Sequence, residues 1–172
     1  MDVMDAIRAR FSVRSFKHYD IEDSKLERVM EAARLAPSAR NLQEWRFVVV
    51  RNEETRETLS EAANGQRFLA EAPAVIVGCA ITSEHVMSCG LHCFPIDVSI
   101  AMAYMTLAAV EEGLGTCWVG AFSEERVHDV LGIPREVIIV GLLPIGYPDA
   151  EAPPKKRLPL NEIMMLEEWR GE

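Results

Sequence analysis

The sequence is short of positive charge. Its 172 residues include 18 Lys and Arg but 27 Asp and Glu, which gives a formal net charge of −9. An acidic surface repels the phosphates of nucleic acids and of anionic lipids, so the composition argues against a nucleic-acid-binding protein and against adhesion to a membrane. The cations that are present cluster at residues 8–17 and 155–157, so local positive potential can exist within an acidic protein.

Long apolar runs and targeting signals are also missing. No apolar run approaches the roughly 20 residues that a helix needs to cross a bilayer. Residues 1–5 contain no basic stretch followed by an apolar core, so we expect no signal peptide and a cytoplasmic protein. The four cysteines are then expected to be free thiols, because disulfides are rare in the cytoplasm.

Signatures of several catalytic classes are absent. The sequence has no Ser-His-Asp order, no nucleotide-binding P-loop and no prominent carboxylate pair. It also lacks G-x-G-x-x-G after a strand, so a Rossmann site is not indicated. His18 and His128 are expected at the surface. Without repeats, low-complexity tracts or linkers, the chain is most simply one domain over residues 1–172.

Hydrophobic patterning predicts an α+β protein in which helices outnumber strands. Apolar residues at helical spacing indicate helices, and short β-branched apolar runs indicate strands. The predicted helices cover residues 2–9, 24–35, 55–63, 95–112 and 123–131. The predicted strands cover residues 45–51, 74–81 and 136–145, and residues 160–172 are expected to form a polar, partly helical tail.

The predicted helix over residues 95–112 is apolar almost all round. A helix with so little polar surface must be buried on most sides, so it is either a central helix or packed against a second subunit. Gly113 is well placed to end this helix in a left-handed conformation.

Two basic segments, one near each end of the chain, have the spacing of an anion clamp. Arg10, Ser12 and Arg14 alternate, so in an extended segment their side chains point to the same side. Lys155 and Arg157 alternate in the same way. Guanidinium groups match phosphate oxygens in geometry and form charge-assisted hydrogen bonds with them. The alternative is that both segments are solvated charge runs, which are common.

Two loops between apolar elements are candidates for ligand contact. Residues 37–43 form a polar loop, and such loops carry function more often than regular elements do. Residues 113–120 contain glycines that allow the backbone to approach a flat ligand closely. The alternatives are turn and capping chemistry for the first loop, and a helix C-cap followed by a turn for the second.

Residues 85–93 contain four potential metal ligands, His85, Cys89, His92 and Cys93. Zinc sites usually pair two short ligand motifs across a longer loop, and four ligands on one short segment rarely all face one ion. We therefore expect no metal site, although a small metal-binding protein stays open as an alternative. We interpret the segment as a lid over a substrate pocket. Cys117 is expected to be a buried small hydrophobe.

The order and spacing of the segments at residues 10–14, 36–43, 113–118 and 155–159 resemble those of the FMN-dependent nitroreductase family, over about residues 5–162. The resemblance implies a nitroreductase-like α+β fold with a central mixed β-sheet wrapped by helices. It also implies an intertwined homodimer with two FMN sites at the interface. Glu44 departs from the family pattern, which commonly has proline there, and adds a carboxylate beside the polar loop.

The resemblance also implies which residues bind the cofactor. The two basic segments would hold the FMN phosphate, and the polar loop would lie along the flavin ring, often reaching in from the partner subunit. The glycine-containing loop would pass near N5 and O4 of the flavin, and Gln66 would reach the flavin edge. The implied cofactor-binding residues are Arg10, Phe11, Ser12, Arg14, Pro37, Ser38, Ala39, Asn41, Gln66, Val119, Gly120, Lys155 and Arg157.

The implied function is an FMN-dependent NAD(P)H oxidoreductase. NAD(P)H would act as a transient donor of two electrons through flavin N5, and a nitroaromatic or quinone would accept them. The protein would bind and orient the flavin, and no residue is expected to be an obligatory acid or base, although His92 or Cys93 is a candidate for proton delivery. Two alternatives stay open: a flavoprotein reduced by a carrier such as a ferredoxin, and a low-turnover FMN binder or sensor.

Overall fold

The computed structural model describes residues 1–170, and its strands form one four-stranded sheet in the order β1-β2-β4-β3. Each neighbouring pair in this order is antiparallel. All seven residues of β2 are buried, because this strand lies between two others and is covered on both faces. The strands are β1 (Trp45–Val50), β2 (Ala74–Ala80), β3 (Gly115–Thr116) and β4 (Ile138–Gly146).

The α-helices of residues 1–170 surround this sheet. Helix α3 begins two residues before its predicted start because Asn52 caps it, accepting the Thr55 N–H at 2.9 Å. The other predicted helices are confirmed with similar small shifts of their ends. The helices are α1 (Val3–Ala9), α2 (Asp23–Arg34), α3 (Glu53–Ala62), α4 (Phe68–Glu71), α5 (Phe94–Glu111), α6 (Glu124–Leu131) and α7 (Leu160–Ile163).

The α+β class and the predicted strands are confirmed, but the expectation of a mixed sheet needs correction for residues 1–170. Among these residues, parallel pairing is limited to an isolated bridge between Ser12 and Thr116. Each of the four strands runs antiparallel to its neighbours in the sheet. Helix α4, strand β3 and a 3-10 turn at Ala39–Asn41 were not predicted, because elements of two to four residues are too short to show periodicity.

The core lies on both faces of the sheet. Successive residues of β2 point to opposite faces, so Ile76 joins the cluster beneath α2 and α5, and Val77 joins the cluster beneath α3 and α6. Helix α5 contacts all four strands as well as α1 and α2, so it is the central helix of its layer. Gly113, with φ of 74°, follows its end in the left-handed conformation, as predicted.

Helix α5 is nevertheless only partly covered by its own chain. By length and composition alone it could cross a membrane, since its mean hydropathy is 1.3 over 18 residues, but only 33% of these residues are buried within one chain. The same composition is typical of the core helix of a globular protein. The remaining apolar surface, including Ile96 and Tyr104, is available to a second subunit.

The surface prediction for His128 is wrong, whereas His18 is exposed as expected. His128 lies on the inner face of α6 beside Val127 and is buried. Its Nδ1 atom is 3.0 Å from the carbonyl oxygen of Ile133, so this buried ring nitrogen has a hydrogen-bond partner within the fold. The predicted free thiols are confirmed, and Cys117 is buried as expected.

Candidate functional site

Strand β3 holds the N-terminal basic segment against the sheet. Ser12 bridges Thr116 in parallel, and Val13 donates its N–H to the Thr116 carbonyl at 3.0 Å. Gly115 makes this approach possible, because a side chain there would overlap Val13. The extended segment thus presents Ser12 and Arg14 on one side while Val13 is buried on the other.

The C-terminal basic segment is attached to the end of α1. Lys155 donates from Nζ to the carbonyl oxygens of Ile7, at 2.9 Å, and of Arg8. These carbonyls belong to the last turn of α1, where unpaired acceptors favour a cation. Residues from the two ends of the chain, more than 140 positions apart, are therefore brought together.

The pKa values of two groups show which charged residues are close to one another. Partial loss of solvent, together with the guanidinium groups of Arg10 and Arg157, lowers the pKa of Lys155 below its ordinary value. Burial raises the pKa of the Cys117 thiol, while Arg14, a hydrogen bond with Ser12 and then Arg10 act in the opposite direction. Arg10 acts on both groups, and it directly follows α1, whose last carbonyls hold Lys155, so the two basic segments lie near each other.

This set of residues, Arg10, Ser12, Arg14, Lys155 and Arg157, is hereafter called the cation cluster. Within residues 1–170, none of its four charged side chains forms an ion pair with a carboxylate. Such uncompensated positive charge is unfavourable in isolation and is relieved by an anion. The protein as a whole is acidic, with a net charge of −9, so this cluster does not reflect a generally basic surface. Its donors fit a phosphate dianion.

The polar loop at residues 37–43 has an unusual backbone. Arg40, Asn41 and Gln43 have φ values of 51°, 57° and 52°, although none is glycine. Left-handed backbone at non-glycine residues is sparsely populated and persists where surrounding contacts enforce it. Inside the loop, Ser38 Oγ accepts the N–H of Gln43 at 3.1 Å. Such enforced conformations are concentrated at functional sites, which supports a binding role for this loop.

Two acidic residues connect this loop to the chain around residues 85–97. The buried carboxylate of Asp97, in the first turn of α5, accepts the N–H of Ala39 at 3.2 and 3.1 Å. Glu44 Oε1 lies 2.7 Å from His85 Nδ1, although the orientation is not that of a hydrogen bond. Glu44, the departure from the family pattern, thus links the loop to the lid segment.

The predicted lid segment, residues 85–93, folds into a small hairpin. Val86 bridges His92, and Cys93 donates its N–H to the His85 carbonyl at 2.9 Å. Within residues 1–170, no three His, Cys, Asp or Glu side chains are placed to share a metal ion. The hairpin and the polar loop enclose a cavity of about 300 Å³, lined by Ala39, Arg40, Leu42, His85, Val86, Met87, Ser88 and Cys93. A lid over a substrate pocket stays a prediction.

The glycine-containing loop leads from the cation cluster along the edge of the sheet. Cys117 directly follows Thr116, the bridge partner of Ser12, and Val119 exchanges backbone hydrogen bonds with Leu142 of β4, at 2.9 and 3.0 Å. Val119 is buried, whereas Gly120 is exposed and has only the Trp118 ring nearby. The backbone of Gly120 is therefore accessible to a flat ligand.

Two predicted cofactor-binding residues have local partners in this structure. Gln66 donates from Nε2 to the carbonyl oxygens of Ala63 and Ala121, at 2.9 and 3.2 Å, so its amide group ties two loops together beside Gly120. The ring of Phe11 packs against the small apolar cluster that includes Val13. Both side chains therefore make contacts within the protein itself, and direct contact with a cofactor stays a prediction.

The remaining predicted site residues form two separate groups. The cation cluster, Val119 and Gly120 lie along β3 and the C-terminal half of β4. Pro37, Ser38, Ala39 and Asn41 lie at the start of α5. Sequence reasoning missed Asp97, although an acidic residue in the first turn of an otherwise apolar helix was a usable signal. It also missed the Glu44–His85 pair, which joins residues far apart in the chain.

Gly115 offers a direct test of how closely the N-terminal basic segment is seated. A methyl group at this position would lie 2.4 Å from Cγ2 of Val13 and 2.9 Å from the Pro148 ring. We expect Gly115→Ala to lower the free energy of unfolding by about 1–3 kcal/mol through overpacking, measured by urea unfolding. Shortening the neighbour in a Val13→Ala/Gly115→Ala double variant should recover part of this loss. If the losses in free energy of unfolding of the two single variants simply add in the double variant, Gly115 and Val13 are not in close contact.

Comparisons with known proteins identify the family of this chain. The profile described as the nitroreductase family matches residues 7–81 and 60–147. An NADH dehydrogenase of Thermus thermophilus is 31% identical over 99% of this chain and 97% of its own length. An FMN reductase [NAD(P)H] of Bacillus subtilis is 28% identical over 99% of this chain and 76% of its own.

A solved structure gives the same result at the level of the fold. The FMN-dependent nitroreductase of Clostridium difficile superimposes with a TM-score of 0.83 and 28% identity, over 95% of this chain and 98% of its own. The profile match covers most of the sequence, and the Thermus protein exceeds 30% identity over nearly all of it. By sequence and by fold, this chain belongs to the nitroreductase family.

Proposed function

We propose that this chain is an FMN-dependent oxidoreductase that takes two electrons from NAD(P)H and transfers them to a small oxidised acceptor, such as a nitroaromatic or a quinone. The observation that carries the proposal is the cation cluster, which has no carboxylate partner within residues 1–170 and fits a phosphate monoester. The NAD(P)H- and FMN-dependent relatives support it. When bound, FMN supplies the two-electron chemistry that side chains lack.

The cation cluster would hold the phosphate. Its guanidinium groups from Arg10, Arg14 and Arg157 offer paired donors, and the Ser12 hydroxyl adds a neutral one. Lys155 contributes charge from a position fixed by the last carbonyls of α1. Lys155 and the backbone at Ser12 are held by the fold before any ligand binds, which limits the entropy lost on binding.

The flavin ring would lie against backbone groups. On the sheet side, the exposed backbone of Gly120 next to Val119 would contact the ring near N5 and O4, and an amide donor there favours the anionic reduced ring. Pro37, Ser38, Ala39 and Asn41 would cover the ring from the partner subunit. This division explains why the two groups of predicted residues are separate within one chain.

We further propose a cytoplasmic homodimer of single-domain subunits spanning residues 1–172, with two FMN sites at the interface. Two features support it: the partly covered apolar helix α5, and exposed apolar side chains on α1 and in the tail. Exposed apolar side chains that lie close together on one chain often mark an interface. The acidic surface offers no footprint for nucleic acid or anionic membranes.

The visible absorbance of the purified protein, and of the supernatant after acid release, tests the cofactor. We expect a flavin spectrum, released as FMN, and steady oxidation of NADH or NADPH when a quinone such as menadione is added. A protein that stays colourless after incubation with FMN contradicts the proposal. A bound flavin that neither nicotinamide reduces, but reduced ferredoxin does, replaces NAD(P)H by a protein donor. A bound flavin that neither donor reduces indicates a binder or sensor.

A further inference from the structure

Asp97 is an acidic residue in an otherwise apolar part of the chain. It lies in the first turn of α5, and only 5% of its surface is exposed. Burying a carboxylate is unfavourable unless hydrogen bonds and nearby positive charge compensate for the lost water. The N-terminal end of this 18-residue helix supplies partial positive charge. The donated hydrogen bond comes from a different segment of the chain.

That donor is the backbone N–H of Ala39, which contacts both carboxylate oxygens at 3.2 and 3.1 Å. The two residues are 58 positions apart, so the contact joins the start of the 3-10 turn to the start of α5. Ala39 itself is partly buried, so water competes little with the carboxylate for this amide. The contact is therefore a tertiary attachment rather than a local cap.

The rest of the polar loop depends on this attachment. Asn41 donates its N–H to the Ser38 carbonyl at 3.0 Å, and Leu42 donates to the Ala39 carbonyl at 3.1 Å. Gln43 donates to Ser38 Oγ at 3.1 Å. All of these bonds are accepted by Ser38 or Ala39. Holding the Ala39 amide in place therefore also holds the acceptors that keep the left-handed residues in their conformation.

Asp97 is itself held in place by the hairpin of the lid segment. Its own N–H donates to the Cys93 carbonyl at 2.9 Å, and the Cys93 N–H donates to the His85 carbonyl at 2.9 Å. The first turn of α5 is thus the point at which the lid hairpin and the polar loop are both anchored. A change at Asp97 should reach the loop without altering the cation cluster, which belongs to other elements.

We propose that Asp97 is a positioning residue for the flavin: it fixes the loop at residues 38–43 in the conformation that places Ser38, Ala39 and Asn41 along the ring. The inference rests on the proposed function and deepens it. Asp97 acts through the backbone of Ala39 and does not itself contact the flavin. Losing its carboxylate should therefore disturb the ring more than the phosphate.

The test uses variants that remove either side of the contact. Asp97→Ala removes the acceptor. Asp97→Asn keeps one acceptor oxygen and should retain the amide protection and the turnover of the wild type. Ala39→Pro removes the donor and places the proline ring carbon Cδ where the amide hydrogen was. The preceding residue tolerates it because Ser38, with φ of −140° and ψ of 159°, is already extended as a residue before proline must be. Glu124→Gln is the matched control, since Glu124 accepts the Ile139 N–H at 3.0 Å elsewhere in the fold.

The first readout is amide hydrogen exchange of the full chain without flavin. We expect the amides of residues 40–43 to exchange about 10-fold faster or more in Asp97→Ala and Ala39→Pro than in the wild type or the control, and the Ala39 amide to do the same in Asp97→Ala. Unchanged protection of these amides would overturn the proposal. If Asp97→Ala does not fold, Ala39→Pro gives the same comparison with the carboxylate intact.

The second readout uses the protein loaded with FMN. We expect kcat for NAD(P)H oxidation to fall about 10- to 100-fold in Asp97→Ala, with an altered circular dichroism band of the bound flavin and a smaller change in FMN affinity. Asp97→Asn should stay close to the wild type. The Asp97→Ala/Ala39→Pro double variant should lose less than the product of the single effects, and independent effects would overturn the proposal.

These two readouts separate failure of the inference from failure of the proposed function. If the wild-type chain takes up no FMN, the proposed function fails, and the exchange experiment still decides whether Asp97 holds the loop. If the wild type binds FMN and oxidises NAD(P)H but Asp97→Ala does so equally well, the proposed function stands and the positioning role is wrong.

Discussion

Replacing Arg14 by alanine is expected to weaken FMN binding by about 10- to 150-fold, which corresponds to about 1.5–3 kcal/mol for a hydrogen bond to a charged group. Arg14 belongs to the cation cluster, close enough to Cys117 to oppose the rise in the pKa of its thiol. Its side chain is exposed and has no carboxylate partner among residues 1–170, so alanine removes a ligand contact without breaking an ion pair. Fluorescence titration of the flavin-free protein measures the change.

A matched control and a second ligand make this prediction specific. Arg8 is also an exposed arginine near the N-terminus, but it faces Asp5 in α1 at 3.4 Å, so Arg8→Ala should leave FMN affinity within about threefold. Riboflavin lacks the phosphate, so its affinity should be the same for Arg14→Ala and the wild type. Equal losses for FMN and riboflavin would show that Arg14 acts on the ring or on folding, and not on the phosphate.

The phosphate half of the candidate site is the part for which the sequence carries a local signal. Alternation of Arg10, Ser12 and Arg14 defines one side of an extended segment from local geometry alone. The meeting with Lys155 and Arg157 is not local, but unpaired like charges in an acidic chain have few favourable arrangements other than around an anion. The structure supplies what the pattern lacks, the attachment of Lys155 to α1.

The ring half depends on contacts that no local pattern encodes. The Asp97–Ala39 bond spans 58 positions, and the Glu44–His85 contact joins two loops. Left-handed backbone at Arg40 also has no signature, since arginine rarely adopts it and tertiary contacts enforce it. The surface prediction for His128 was wrong because tertiary packing also decides its position. Burial on the inner face of α6 overrides the preference of a polar side chain for water.

The tail after the cation cluster is partly helical, as expected, but large apolar residues stand among its polar ones. Large apolar side chains of this segment are exposed in the single chain, and an exposed patch of this kind usually marks an interface. They are Leu158, Leu160, Ile163, Met164, Leu166 and Trp169. Residues 171 and 172, the end of the predicted tail, lie outside the described residues.

Ending the chain after Arg157 is therefore expected to convert the proposed dimer into monomers. Full burial of an apolar side chain contributes about 1.5–3 kcal/mol, so losing several of them exceeds the stability of most small interfaces. Light scattering coupled to size-exclusion chromatography measures the mass. Asn161→Ala, a polar change within α7, is the control and should leave the dimer intact. A truncated chain that still forms dimers would assign the interface to α5 and α1 without the tail.

Truncation also decides where the flavin site lies, because Lys155 and Arg157 remain in the shortened chain. If the ring is covered by Ser38 and Asn41 of a partner subunit, FMN affinity should fall together with dimerisation, although every phosphate contact of the chain itself is kept. Monomers that bind FMN as tightly as the full chain would place a complete site within one subunit. In that case, the polar loop would serve the lid and its cavity, and not the flavin.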